Sequence, residues 1–347
     1  MAVLELDSVS KSYRTHLSLR KYWILRDLSF AVREGEIFGF IGTNGAGKTT
    51  TIKLALGLLF PDNGTIRIFG ADAARPAARR RVGFLPENPY FYDYLTGYEF
   101  LDFHARLHGI PAAGRRRRVT AMLERVGLGN RADRQLRHFS KGMLQRIGLG
   151  QALIDEPALV ILDEPMSGLD PIGRRDVRDL ILDLKARGST VFFSTHILSD
   201  TELLCDRVGM LVKGCLKAVG RVEDLVRGET PFWEVTLRWP SGGPPPCGRV
   251  VSRHEDEILV RVESQHDLHR LVSTLNGGGA RLLSVTPARQ SLEDLLVREV
   301  RRADGGEKDA DGEEHGGEGH GADEPDGAPT GTAESDTVGE RRAADAR

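Results

Sequence analysis

Long apolar runs are missing from this sequence: charged residues interrupt every one of them, well short of the roughly 18 to 20 residues that a membrane helix needs. The chain is not expected to span a bilayer. Residues 1–9 alternate like a strand and carry no basic segment followed by an apolar stretch, so a signal peptide is not expected and the cytoplasm is the expected compartment. Cysteine is scarce. Cys205, Cys215 and Cys247 form neither a CxxC pair nor a metal set with nearby histidines, which argues against a disulfide framework or structural zinc. Strong net charge is also absent, at a formal −2 over 347 residues. The arginine runs 79–81 and 115–118 have no interleaved aromatics for base stacking, so they read as solvated helix faces and nucleic acid is not an expected partner. His104 and His108 lack the acid of an HExxH site. No repeat appears at solenoid or propeller periods.

What is present is enough apolar residue, 40%, for one sizeable core and a small second one. Over residues 1–227 short strand-like runs (37–41, 159–162, 190–193) alternate with helix-like stretches such as 172–186, which predicts an α/β domain. Its middle, about 98–154, has helical periodicity with few strand signals and reads as an inserted helical subdomain. Beyond Gly228 the pattern changes to a strand at 232–239, a breaker run, a hairpin flanking 254–257, a helix through Leu268 and Leu271, a strand at 281–285 and a helix from Ser291. Residues 228–302 thus read as a small α+β domain. From about Ala303 to Arg347 the chain is rich in Asp, Glu and Gly and is expected to be a disordered acidic tail.

The strongest chemical signal is Gly42-Thr43-Asn44-Gly45-Ala46-Gly47-Lys48-Thr49-Thr50, which follows an apolar strand and opens a helix. Such a loop lets backbone N–H groups converge on a phosphate at a helix N-terminus. Lys48 would reach the β/γ-phosphates and Thr49 would ligate magnesium. A dinucleotide loop, by contrast, is GxGxxG and has no use for the Gly-Lys-Thr ending. The apolar strand 159–162 then runs into Asp163 and Glu164, adjacent carboxylates at the carboxyl end of a sheet. Asp163 suits magnesium, and Glu164 suits orienting and polarising an attacking water.

In chain order the phosphate loop, Leu85-Pro86-Glu87, Phe139-Ser140-Lys141-Gly142-Met143, Asp163-Glu164, Ser167-Gly168-Leu169-Asp170 and His196 resemble the motifs of ATP-binding cassette ATPases over residues 1–227. The resemblance implies a P-loop domain with a helical subdomain that binds ATP and magnesium and hydrolyses ATP, with Glu164 and His196 in catalysis. It implies nucleotide contacts from Gly42, Asn44, Gly45, Gly47, Lys48, Thr49 and Thr50, from Tyr13 on the adenine, and from Ser140, Gly142 and Asp170 across a head-to-tail dimer of like subunits. Magnesium would be held by Thr49, Glu87 and Asp163. Lys141 and Met143 replace a glycine and a glutamine of the usual signature, and Glu87 replaces a glutamine. Residues 83–95 are similar to cassettes of type-2 exporters, which implies a separate membrane permease as partner and a position on the cytoplasmic face of the membrane. Two other classes compete: a cassette clamp acting in DNA repair or on ribosomes, which usually carries a coiled-coil insertion or two cassettes, and a simple P-loop kinase or GTPase, which would lack the later motifs.

Overall fold

The computed structural model describes residues 1–15, 18–226, 232–239, 243–275, 280–288 and 291–310. Strand β1 (Ala2–Thr15) turns back into β2 (Ser18–Arg33), and β3 (Ile37–Gly42) leads through the glycine-rich loop into helix α1 (Lys48–Ala55). Strands β4 (Asn63–Ile68), β5 (Ala71–Asp72) and β6 (Val82–Leu85) follow, then the helices α2 (Gly97–Leu107), α3 (Ala112–Arg125) and α4 (Lys141–Leu153). Strand β7 (Leu159–Asp163), α5 (Pro171–Ala186), β8 (Thr190–Thr195), α6 (Leu198–Leu204), β9 (Arg207–Val212), β10 (Cys215–Arg221) and α7 (Val222–Val226) complete the α/β part. The remainder is β11 (Phe232–Arg238), β12 (Arg249–His254), β13 (Glu257–Val262), α8 (Gln265–Thr274), β14 (Arg281–Ala288) and α9 (Leu292–Ala310).

The central sheet runs β10-β9-β3-β8-β7-β6, parallel from β9 to β6 with β10 antiparallel at its edge. Alternation along β3 explains its place at the centre. Phe38 and Phe40 point to one face and stack with Phe30 of β2 and Phe192 of β8 at ring separations of 5.3 to 5.9 Å, joining this sheet to the antiparallel sheet β2-β1-β4-β5. Each of these buried rings contributes about 1.5–3 kcal/mol of transfer free energy. Ile37 packs on the other face with α4, α5 and the helical subdomain. That subdomain starts at a capping box, in which Thr96 Oγ1 accepts from Glu99 N and the Glu99 carboxylate accepts from Thr96 N.

Three boundaries differ from the sequence expectation. The N-terminal strand continues to Thr15, because the segment expected as an insert after Tyr13 pairs as a hairpin in which Tyr13 faces Tyr22. Residues 16 and 17 of that insert lie outside the described residues. The α+β segment forms its own antiparallel sheet, β12-β13-β11-β14, around Val235, Leu237, Ile258, Val260, Val262 and Leu271 of α8. Helix α9, read from sequence as that segment's last helix, instead lays Leu292, Leu295 and Leu296 on Ile41, Leu198, Met210 and Val212 of the α/β part. An amphipathic stripe records that a face is buried and not which core receives it. The same helix runs to Ala310, past the expected start of the acidic tail, while residues 311–347 lie outside the described residues. Among the described residues no helix is long and apolar enough to cross a membrane.

Candidate active site

Strand β3 delivers the chain to Gly42 at the carboxyl edge of the sheet, where a side chain would lie 2.3 Å from Leu211 O. Gly45 and Gly47 then take φ of 79° and 110°, a left-handed backbone that glycine adopts without steric cost. At Gly47 a side chain would also meet Leu25 of β2 at 2.7 Å. The sharp loop leaves the first N–H groups of α1 without a side-chain cap or a first-turn acid, an arrangement that favours an incoming anion. Lys48 is buried, and its Nζ donates to Gly42 O at 2.9 Å and Thr43 O at 3.3 Å, so the ammonium is held under its own loop.

The neighbouring strands β7 and β8 bring the acids to that ammonium. Glu164 Oε1 lies 3.3 Å from Lys48 Nζ, and Glu164 Oε2 lies 2.8 Å from His196 Nδ1. Glu164 takes φ of 50°, which costs a non-glycine residue about 1–3 kcal/mol and persists only where the surroundings hold it. Two contacts do so: Glu164 N donates to Ser194 Oγ at 3.0 Å and to Ser194 O at 3.2 Å. The same Ser194 hydroxyl donates to Asp163 Oδ1 at 2.6 Å, while Thr49 Oγ1 donates to that oxygen at 3.3 Å. Gln145 of α4 donates to Pro165 O at 2.8 Å and pins the segment that follows.

These groups open onto a cleft of about 640 Å³ lined by Asn44, Gly45, Gly47, Lys48, Thr49 and Thr50, closed on its other sides by Glu87, Glu164, Ser167, His196 and Ile24. Most of the sequence-selected residues therefore meet, with Asp163 reached through Thr49 and Gly42 through Lys48. Four stand apart from the cleft lining. Ser140 caps α4 by accepting from Met143 N at 3.3 Å, and Asp170 caps α5 by accepting from Gly173 N at 2.7 Å. Gly142 adjoins Leu169. Tyr13 is 43% exposed on β1, with Lys11 Nζ 5.8 Å from its ring centroid, and Ile24 rather than Tyr13 forms the cleft wall.

Sequence reasoning gave no site role to Ser194, Gln145, Ser167 or Ile24, although Ser167 belongs to one of the quoted motifs. A signal existed for Ser194, which stands at the carboxyl end of β8, two residues before His196. Its bridging role needs the pairing of β8 with β7, which puts Ser194 against Asp163. Among the described residues no group of His, Cys, Asp and Glu side chains forms a metal cluster. The oxygen donors of Thr49 and Asp163 nevertheless suit magnesium, which is bound by one or two protein oxygens and completes its shell with phosphates and water.

A phosphate loop between a central strand of a parallel sheet and its helix, with two acids at the end of β7, one strand further along the sheet, defines a P-loop nucleoside triphosphatase. The family model for ABC transporters matches residues 25–167. An ABC transporter ATP-binding protein of Synechocystis sp. is 43% identical over 303 residues, covering 86% of this chain and 85% of that protein. The bacitracin transport ATP-binding protein BcrA of Bacillus licheniformis is 37% identical over 282 residues, covering 78% and 90%. A solved ATP-binding subunit of an ABC transporter superposes with a TM-score of 0.58 at 37% identity, covering 65% of this chain and 92% of that one. The chain belongs to the ABC transporter ATP-binding proteins: it is an ATP-binding, ATP-hydrolysing subunit of such a transporter.

Proposed function

We propose that this subunit works as a head-to-tail dimer that drives a separate membrane permease in the export direction, from the cytoplasmic face of the membrane. The observation that carries the chemistry is the Glu164 carboxylate, held between Lys48 and His196 at the mouth of the cleft. With ATP on the loop, Lys48 exchanges its carboxylate partner for the β/γ-phosphates, and Glu164 is freed to orient and polarise the attacking water. His196 donates to the γ-phosphate and senses its loss. Thr49, Asp163 and Glu87 would hold magnesium, which would supply positive charge against the phosphates. Gly42, Asn44, Gly45, Gly47 and Thr50 cradle the phosphates, with Tyr13 on the adenine.

The dimer follows from what the cleft lacks. Ser140, Gly142 and Asp170 cap or adjoin helix starts beyond its lining, and the N-terminus of α4, capped by Ser140 but with no acid in its first turn, offers an anion site to a second copy's γ-phosphate. The permease contact is supported by Tyr90, Tyr92 and Tyr94, which follow Glu87 and are 91%, 41% and 67% exposed, with Tyr92 edge-on to Phe103 of α2. Aromatic side chains carry much of the binding energy in protein interfaces. The export direction rests on the similarity to a fluoroquinolones export ATP-binding protein of Mycobacterium tuberculosis, 41% identical over 203 residues, and on residues 83–95. We read residues 1–227 as the cassette and the segment from 228 to 302 as an accessory unit whose last helix is shared with it.

The test is complementation between damaged copies. Lys48→Ala and Ser140→Arg chains are assayed for ATP hydrolysis separately and mixed, with the permease present. Each variant alone has two damaged sites, whereas the mixed dimer keeps one intact site, so partial recovery on mixing is expected. Full activity of the Ser140→Arg chain alone overturns the shared site. Copurification of the wild-type chain with its permease from detergent, lost on changing Tyr90 and Tyr94 to Ser, checks the docking surface.

A further inference from the structure

We propose a second binding site, remote from the ATP cleft, that takes a phosphate-bearing anion in an arginine-lined cleft between the β12–β13 hairpin and α9. The cleft measures about 640 Å³ and is lined by Arg249, Arg261, Arg298, Arg301 and Arg302, with Glu293 and Asp294 as its acids. Two elements supply the cations. Arg249 of β12 stands directly across the ladder from Arg261 of β13, and like charges directly opposite destabilise a sheet unless something compensates them. On α9, Arg298, Arg301 and Arg302 fall at i, i+3 and i+4, one stripe of the helix, offset from the stripe of Leu292, Leu295 and Leu296 that fixes α9 to the cassette.

Five arginines outnumber the two acids of the lining, Glu293 and Asp294. Asp294 is committed to its own helix start, where its carboxylate accepts from Ser291 N at 3.1 Å and Ser291 Oγ at 3.0 Å. Glu299 takes Arg302 at 2.9 Å and Arg298 at 4.0 Å. No ion pair or hydrogen bond joins Arg249 or Arg301 to another described residue. Arg261 is positioned rather than free to wander: its guanidinium carbon lies 3.5 Å from the Phe232 ring centroid, and its buried Nε has no hydrogen-bond partner. A planar donor group held by stacking, with an unmet N–H and four like neighbours around a cavity, is suited to a multivalent oxyanion.

Phosphate chemistry fits better than the alternatives. A phosphate has more oxygens than a carboxylate and can receive bidentate forks from several arginines at once. A nucleic acid strand would call for aromatic faces to stack its bases, and the one apolar side chain lining the cleft is Val297. The same chemistry reaches a protein from two sources, a soluble phosphate compound or the headgroup of an anionic lipid.

Pyrophosphate is the probe for the first source, titrated calorimetrically into the full chain already saturated with ADP and magnesium so that the phosphate loop is filled. Co-sedimentation with phosphatidylglycerol vesicles, against phosphatidylcholine vesicles, probes the second. Both are repeated with the Arg249→Gln/Arg301→Gln variant, whose melting temperature should match wild type because neither side chain has a partner among the described residues to lose, and with Arg249→Lys/Arg301→Lys. The expected result is pyrophosphate binding that weakens at least about 10-fold in the Gln variant and less in the Lys variant, since charge-assisted hydrogen bonds are removed or only recast. Vesicle binding that depends on the same arginines, without pyrophosphate binding, supports the site and assigns the lipid headgroup. Absence of both, or binding equal in wild type and the Gln variant, overturns the proposal.

Discussion

Ser194 Oγ lies 2.6 Å from Asp163 Oδ1 and at the same time accepts the Glu164 backbone N–H at 3.0 Å, so one buried hydroxyl orients both acids of the site. Removing it leaves the Asp163 carboxylate with Thr49 as its hydrogen-bond partner among the described residues and loosens the left-handed backbone at Glu164. Outer-shell partners of this kind typically change activity by ~10–100-fold. Ser194→Ala should therefore lower kcat for ATP hydrolysis within that range and raise the magnesium concentration needed for half-maximal rate, with the KM for ATP changed little. An unaltered kcat and magnesium dependence would show that Ser194 only fills space.

Glu164 and Lys48 share an ion pair, yet their substitutions should separate. Glu164→Gln keeps the shape of the site but cannot polarise water as a carboxylate does, so nucleotide affinity should persist while turnover falls more than ~100-fold. Lys48→Ala removes the cation that offsets the phosphate charge and should weaken binding itself. Fluorescent-nucleotide titration and phosphate release distinguish the two, and light scattering should find the Glu164→Gln chain dimeric with ATP. Equal loss of affinity in both variants would contradict the division of roles.

His104 gives a pH signature. Burial among Phe100 and Phe103, with the charge of His108 adding, lowers its pKa from the usual 6.5 to about 4. The folded chain therefore holds this imidazole neutral where the unfolded chain would protonate it. Its contribution to stability is complete above pH 6.5 and is lost as pH falls toward 4. His104→Phe should flatten the decline in melting temperature across that window while keeping the aromatic contacts; a variant whose pH profile parallels wild type would rule His104 out as the cause.

The attachment of α9 to the cassette makes a stability prediction. Leu292 is fully buried against Ile41 and Met210, and its N–H donates to Glu202 of α6 at 2.8 Å. Leu292→Ala should destabilise the chain by about 2–5 kcal/mol in denaturant melts, as large-to-small changes in a packed core do. Glu202→Gln retains an acceptor and should cost much less. A melt of Leu292→Ala indistinguishable from wild type would show that α9 is not held there.

What the sequence determined by itself is local. The order of the phosphate loop, the paired acids at 163 and 164 and the histidine at 196 follow from short patterns, because glycine conformations, a strand end and a helix start are set by near neighbours. The elements that carry them were legible for the same reason, as β3, β7, β8 and α5 lie within a residue or two of their expected bounds. Tertiary structure alone decided which strand lies beside which, and hence that Ser194 meets Asp163, that Ile24 walls the cleft and that Gln145 pins Pro165 from another helix. It also decided the destination of α9 and the convergence of Arg249, Arg261 and Arg301, residues up to about fifty positions apart in sequence. Hydrophobic periodicity specifies that a face must be covered, whereas the partner that covers it is fixed by the shape and burial of the whole core, which no local window contains.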